Sequence, residues 1–282
     1  LWYDNKANNY DKGDTKYGTT GFGNRFTDDM CWICLTLIRL SEATGDDTYI
    51  NMAKTVYDTQ IITRAWEDEK GKGLPWKELS VDKTRNACTN APGCLVAAKL
   101  YLKFQDAKYL TDAKTLCAYV NANILKSDYR VGEPPLTYTQ GTFGEACRQL
   151  YHITQEQSYM AIAEQVISYA FTSTRCTNKG FLRDEGTDMN QSIFKAVLIP
   201  YAVNLVLDDA ASGTVRNTLT LKLQDNAEAL RKNMDRTQWP AMYCNYYWGS
   251  SFNSANIASM GAQASGASLM EGVARLEAAQ AK

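Results

Sequence analysis

One internal pattern constrains the fold of this chain more than any other. Leu40 is followed nine positions later by Tyr49, Leu100 by Tyr109 and Leu150 by Tyr159. An alanine follows each tyrosine by four, at Ala53, Ala113 and Ala163. A four-residue step keeps two side chains on one helical face. The segments joining each Leu to its Tyr are short and polar: Thr44-Gly-Asp-Asp, Gln105-Asp-Ala-Lys and Thr154-Gln-Glu-Gln-Ser. Each copy therefore reads as helix, tight turn, helix. Leu40 to Leu100 is 60 positions and Leu100 to Leu150 is 50, a period that belongs to stacked αα-hairpins. Such hairpins build an open solenoid or a closed toroid, and the period does not choose between them.

The rest of the chain agrees with an all-α reading. Apolar residues recur at helical spacing over nine stretches, about 30–43, 49–63, 86–104, 109–125, 144–153, 159–171, 192–207, 219–234 and 262–278. No alternating segment competes as a strand. The longer connections, 65–85, 126–142, 173–190 and 238–261, carry Trp66, Trp76, Tyr138, Trp239, Tyr243, Tyr246, Tyr247 and Trp248. Exposed rings there suit the apolar faces of sugars; the plainer reading is that half or more pack over helix ends.

Composition excludes several function classes. Thirty basic against thirty-one acidic residues leave a net charge of −1, so no nucleic acid partner is expected. No apolar run approaches the ~20 residues of a membrane span, and no signal peptide opens the chain. Most of the eight cysteines lie in helical patterns, where they act as small hydrophobes. Cys31 and Cys34 have CxxC spacing, but one such pair is half a zinc site. His152, the single histidine, removes His-rich metal sites and argues against a Ser-His triad. No metal or cofactor is expected.

Thr27-Asp28-Asp29 opens the first helix, with Thr27 as the expected N-cap. Two acids in a first turn usually only complement the helix dipole. The sharper reading is a carboxylate pair flanking a glycosidic bond. Mutual repulsion raises one pKa and leaves an acid beside a nucleophile, although the helix N-terminus opposes this.

Phe26-Thr-Asp28-Asp29-Met-Cys-Trp32 together with Leu40-Ser-Glu-Ala-Thr-Gly-Asp-Asp-Thr-Tyr49 resembles glycoside hydrolase family 76, the α-1,6-mannanases. The likeness continues in order through Trp66-Glu-Asp, Gly71-Lys-Gly73, Pro75-Trp76-Lys77, Arg85-Asn86 to Asn90-Ala-Pro92, and Tyr138-Thr-Gln140-Gly141-Thr142-Phe143. It extends through Asn190-Gln191-Ser-Ile-Phe194-Lys195 to Gln263-Ala-Ser265. It departs in an interrupted glycine run and in Asn190, where an acid is expected. The resemblance implies an (α/α)6 toroid of αα-hairpins, a single catalytic domain over residues 1–282, and an N-terminal hairpin missing from this numbering. It implies a retaining endo-acting mechanism with Asp28 as nucleophile and Asp29 as general acid/base. Substrate-binding residues expected from it are Trp66, Trp76, Asn86, Asn90, Tyr138, Gln140, Asn190, Gln191 and Lys195. Read from the residues alone, Asn90 and Asn190 are helix caps, Tyr138 buttresses a loop, and Thr142 is a cap. An α-mannan polysaccharide or oligosaccharide is the expected partner of a monomer that is secreted, periplasmic or at the cell surface. Exo-mannosidase, mannan transglycosylase and a non-catalytic carbohydrate-binding repeat protein stand as alternatives.

Overall fold

The computed structural model describes residue 3 and residues 22–78, 83–252 and 259–281. The expectation of a missing N-terminal hairpin falls outside the described residues. Nine α-helices occur among the described residues: α1 (Thr27–Thr44), α2 (Asp47–Val56), α3 (Ala87–Phe104), α4 (Ala107–Asn123), α5 (Thr137–Thr154), α6 (Gln157–Thr172), α7 (Phe194–Val206), α8 (Gly213–Asn233) and α9 (Met260–Gln280). Each falls on one of the nine periodic stretches. Two antiparallel ribbons are additions that periodicity did not show. One pairs β1 (Trp66–Asp68) with β2 (Gly71–Gly73), the other β3 (Thr177–Asn178) with β4 (Phe181–Leu182). Both are too short to leave an alternating pattern. The turn of the second, Lys179-Gly180, has φ of +48° and +88°, as a two-residue hairpin requires.

The repeated Leu–Tyr–Ala motif has a backbone explanation. Five residues after each Leu, the chain enters the left-handed region, at Gly45 (φ +73°), Gln105 (+55°) and Gln155 (+63°). That ends the first helix. Glutamine tolerates the position because its amide caps the helix it ends: Gln105 Nε2 donates to the carbonyls of Tyr101 and Leu102 at 3.2 and 3.1 Å. Gln155 Nε2 donates to the His152 carbonyl at 3.1 Å. The next residue is an acid. Asp46 accepts from Thr48 N at 2.8 Å and Asp106 from Lys108 N at 3.0 Å, starting the second helix. In the third copy Glu156 occupies this place without a side-chain cap.

Small residues then let the paired helices approach. Ala53, Ala113 and Ala163 are fully buried. Cys34 Sγ donates to the Ala53 carbonyl at 3.5 Å and Cys94 Sγ to the Ala113 carbonyl at 3.2 Å, nineteen residues apart in both cases. These cysteines act as buried hydrophobes with a weak donor. Gly144 holds the same place relative to Ala163, and a Cβ there would lie 2.4 Å from Ile167 Cγ1.

By contact density the chain forms two compact units. Leu1–Leu125 with His152–Gln155 make one; Lys126–Tyr151 with Glu156–Lys282 make the other. In the first, α1 packs on α2 and α3, and α3 on α4, burying Met30, Leu37, Ile38, Leu95, Leu100 and Leu116. In the second, α9 packs on α7, and α8 on α6, α7 and α9, burying Ile167, Leu198, Ile199, Leu223 and Leu269. Among the described residues no helix is long and apolar enough to cross a membrane.

Three boundaries differ clearly from the periodic reading, one being the start of α8 at Gly213 rather than near 219. Helix α2 ends at Val56 and continues as a π-turn over Tyr57–Ile61 and a 3₁₀ turn over Ile62–Arg64. Helix α5 begins seven residues earlier than residue 144. Its first two turns are polar yet buried, with Thr137, Gln140 and Thr142 fully enclosed, so hydrophobic periodicity does not mark them.

Candidate active site

The start of α1 is fixed from outside the helix. Phe26, not Thr27, is the N-cap, and no side chain caps the helix. Thr27 is the first helical residue and donates its N–H to the Trp76 carbonyl at 2.8 Å. Glu78 N returns to the Arg25 carbonyl at 3.1 Å, so residues 25–27 and 76–78 form a two-way strap. Arg64 adds a second tie: Nη1 donates to the Arg25 carbonyl at 2.9 Å and to Thr27 Oγ1 at 3.2 Å, and Nη2 to the Asn24 carbonyl at 2.7 Å. Backbone partners do the work expected of a Thr side chain.

This scaffold sets two neighbouring carboxylates in different environments. Asp28 is largely enclosed, and Asp29 is exposed. One oxygen of Asp28, Oδ2, accepts from Trp76 Nε1 at 3.1 Å and from the Cys88 thiol at 3.6 Å. The other, Oδ1, is buried and has no partner. Burial, and secondarily the Asp29 charge, push the Asp28 carboxyl up from 3.8 to about 6, against the two donors. The inside of the protein thus disfavours the anion, while the hydrogen-bond donors around it are arranged for one. Asp29 Oδ2 accepts from Asn24 Nδ2 at 3.3 Å.

Around the pair, the structure separates the remaining sequence candidates. Trp76 belongs to the site through its Nε1; its ring meets Phe26 edge-on at 5.4 Å, and Lys77 Nζ lies 4.3 Å from its centroid. Asn86 is the N-cap of α3: Oδ1 accepts from Thr89 N at 3.2 Å and Thr89 Oγ1 at 2.8 Å. Two positions on, in the first turn it caps, is Cys88.

Asn90 is consumed by backbone groups, and Trp66 gives one ring face to packing. Asn90 is fully buried: Oδ1 accepts from Leu74 N at 2.7 Å, and Nδ2 donates to the carbonyls of Leu74 and Asn86, both at 2.9 Å. It fixes the segment leading to Trp76. Trp66 is stacked against the Arg85 guanidinium, 4.0 Å from the ring centroid. Arg85 also lies over Tyr119 and donates to the carbonyl of Gly71 at 2.6 Å and to Asp68. Ribbon β1–β2 is therefore pinned on Arg85, and one face of Trp66 is covered.

The second unit holds the other candidates. Gln140 is fully buried; Oε1 accepts from Val131 N, and Nε2 donates to the carbonyls of Tyr129 and Val166 at 3.1 and 2.9 Å. It braces the entry to α5 and has no amide proton left for sugar. Thr142 lies inside α5 with its hydroxyl buried and unpartnered, so it is not a cap. Lys195 is also buried; Nζ donates to the Tyr246 carbonyl and lies 4.1 Å from the Trp248 centroid. Burial lowers its amine to about 8, opposed by Glu185 and Asp184. Tyr138 lies against Phe194 at 4.2 Å. Asn190 and Gln191 are exposed, and their backbone N–H groups both donate to Asp188 Oδ1 at 2.8 Å. Of the loop rings, Trp248 is buried, Tyr243 stacks on Phe252, and Trp239 is 73% exposed.

Four residues of the site escaped sequence reasoning: Asn24, Arg64, Cys88 and Arg85. No periodicity or charge pattern marks them. Only Cys88 had a signal, a polarisable donor between the two asparagines of α3. Among the described residues, no group of three or more His, Cys, Asp or Glu is placed to hold a metal.

The chain is 26% identical to the α-1,6-mannanase GH76A of Salegentibacter sp. HEL1_6, with a TM-score of 0.82 over 94% of this chain and 79% of that one. An inactive variant of that enzyme, with two consecutive aspartates replaced by asparagine, was solved with α-1,6-mannotriose. It is 25% identical, with a TM-score of 0.82 over 92% of this chain and 78% of that one. A family 76 mannosidase of Bacteroides thetaiotaomicron VPI-5482, 20% identical, shares the fold at a TM-score of 0.68 over 90% of this chain and 72% of that one. Among curated proteins, none matches significantly. The likeness places the chain in the all-α, (α/α)6 fold class of these enzymes. The sequence model of Glycosyl hydrolase family 76 matches residues 3–281, and with nearly the whole chain covered, the protein belongs to that family of glycoside hydrolases.

Proposed function

We propose that the chain is a retaining hydrolase that cuts α-1,6-linked mannan internally, with Asp28 as nucleophile and Asp29 as general acid/base. The observation that carries this reading is the asymmetry of the pair. Asp28 has one oxygen held by two donors, which fix the carboxylate and stabilise the anion that attacks. Asp29 is exposed beside it, where it can exchange protons with a leaving group and then with water. Adjacent carboxyls in one helical turn suit the ~5–5.5 Å separation of retaining enzymes. In the first step an Asp28 oxygen bonds to the anomeric carbon as the glycosidic C–O bond breaks. Asp29 gives its proton to the departing oxygen. In the second, Asp29 takes a proton from water, whose oxygen displaces Asp28.

Asp28 must be ionised to attack, so its pKa of about 6 sets the acid limit of activity. A raised carboxyl alone is the mark of an acid. The N–H and S–H donors both addressing Oδ2 favour the anion and support the nucleophile role. Support for substrate comes from the Salegentibacter relatives, an α-1,6-mannanase and its variant bound to α-1,6-mannotriose.

The test is incubation with linear α-1,6-mannan, sizing the products and recording their first-formed anomer by NMR. Mixed oligosaccharides released with α-configuration support the proposal. Mannose alone indicates exo action, products longer than the substrate indicate transfer, and a β-anomer sinks retention. No turnover returns the reading to a carbohydrate-binding protein.

A further inference from the structure

Resting on the reading of Asp28 as nucleophile, we propose that Trp76 and Cys88 are positioning residues that clamp Oδ2 of Asp28, fixing the rotation of its carboxylate and holding it as the anion that attacks. Nothing in a carboxylate distinguishes its two oxygens chemically; the environment must do so. Here Oδ2 receives Trp76 Nε1 at 3.1 Å and Cys88 Sγ at 3.6 Å, from a loop and from α3 respectively. Oδ1 is enclosed and unpartnered. Two donors on one oxygen fix the side-chain rotation and draw charge toward that oxygen.

Each donor is itself held. The backbone of Trp76 is tied on both sides, its N–H to the Thr84 carbonyl at 2.7 Å and its carbonyl to Thr27 N at 2.8 Å. Cys88 stands in the first turn of α3, which Asn86 caps. The clamp therefore joins α1, the loop after β2, and α3. It also explains how a carboxyl that burial pushes toward the neutral form becomes an anion near neutral pH. A hydrogen bond to the charged form stabilises it, and a thiol is a weak donor that does so without giving up its proton.

The charged and titratable groups facing Asp28 are Asp29 and Cys31 on its own helix and Cys88 on α3, with Arg64 beyond Cys31. Cys31 is held neutral by full burial. The pH response is thus set by Asp29 and the two donors.

The experiment titrates the Asp28 carboxyl directly in the free protein by carbon-13 NMR, its resonance identified by loss in Asp28→Asn. In Trp76→Phe the midpoint moves up by about one pH unit, the size of a lost hydrogen bond to a charged group. In Cys88→Ala it moves up by less, and in Cys88→Ser, which keeps a donor, it returns toward wild type. The acid limb of kcat/KM on α-1,6-mannan moves with it, at a kcat loss larger than any rise in KM. Unchanged midpoints in both Trp76→Phe and Cys88→Ala overturn the clamp. So does a Cys88→Ser midpoint equal to that of Cys88→Ala. If Trp76→Phe does not fold, the two Cys88 variants decide alone. If wild type does not turn over mannan, the proposed function fails while the titration still judges the clamp.

Discussion

Removing the charge of Asp28 should make the protein more stable while abolishing its activity. The folded-state pKa of this carboxyl is raised from 3.8 to about 6. Between those values the folded chain holds a proton that the unfolded chain has lost, so stability falls as pH rises through the window. Above about pH 6 the full penalty is present. Two units at 1.36 kcal/mol each give about 3 kcal/mol. Asp28→Asn is neutral at every pH and escapes this penalty. Its Oδ1 still accepts from Trp76 and Cys88, but its NH₂ occupies the enclosed place of the unpartnered oxygen. An unsatisfied donor there costs about 1–2 kcal/mol. The net gain at pH 7.5 is therefore about 1–2 kcal/mol, or a few degrees in Tm for a chain of this size. The assay is urea unfolding of wild type and Asp28→Asn at pH 4 and pH 7.5. The offset from the orphaned NH₂ is the same at both, so the stability difference must grow by roughly 2–3 kcal/mol from the lower pH to the higher. A difference that does not change with pH refutes the reasoning, because it means burial does not oppose the charge. Such a gain from disabling a reactive group is the ordinary trade between activity and stability.

Asp29→Asn removes a charge that is exposed, so it should lose hydrolysis of α-1,6-mannan almost completely while its unfolding changes by less than about 1 kcal/mol at either pH; azide restoring turnover of an activated aryl mannoside would identify the lost acid/base. Gln140→Ala strands the Val131 N–H and the carbonyls of Tyr129 and Val166 and should cost about 2–4 kcal/mol by denaturant unfolding, with KM of the folded fraction unchanged. Gly45→Ala, at φ +73°, should cost about 1 kcal/mol. Iodoacetamide should label Cys88 first, since the other seven cysteines are buried, and mass spectrometry should show inactivation tracking that single label and slowed by mannan oligosaccharides.

The hairpins were readable from the sequence because the turn that builds them is local. A left-handed residue, an acid and a Leu–Tyr–Ala spacing all lie within about fourteen positions. The carboxylate pair was readable through its neighbours in order, though as two acids in a first turn it is ordinary. What could not be read is which polar side chains face inward. Asn90 and Gln140 have the composition of sugar-binding amides, yet they are consumed by backbone groups of preceding loops and, for Gln140, also of α6. Composition cannot separate these uses, since an amide satisfies a stranded carbonyl as well as it satisfies a hydroxyl. Thr27 failed as a cap for a related reason: Trp76, 49 positions away, supplies the carbonyl that takes its N–H. Partners at that distance leave no spacing signal.

The self-sufficiency of the short turns has a consequence for how such a chain can change. The first two turns close on bonds made entirely among their own residues, Gly45 to Ser41 and Asp46 to Thr48, Gln105 to Tyr101 and Asp106 to Lys108. The register of each helix pair is thus settled without reference to the long connections that leave it. Outside the stretches that the Trp76 strap, Asn90 and Gln140 hold, those connections are free to lengthen, shorten or be exchanged between relatives without retuning the helices beneath. A laboratory wishing to alter which branches or chain lengths the enzyme accepts should exchange the outer parts of these segments, keep the Trp76 strap and the backbone that Asn90 and Gln140 hold, and leave the αL residue of each short turn and its following acid untouched.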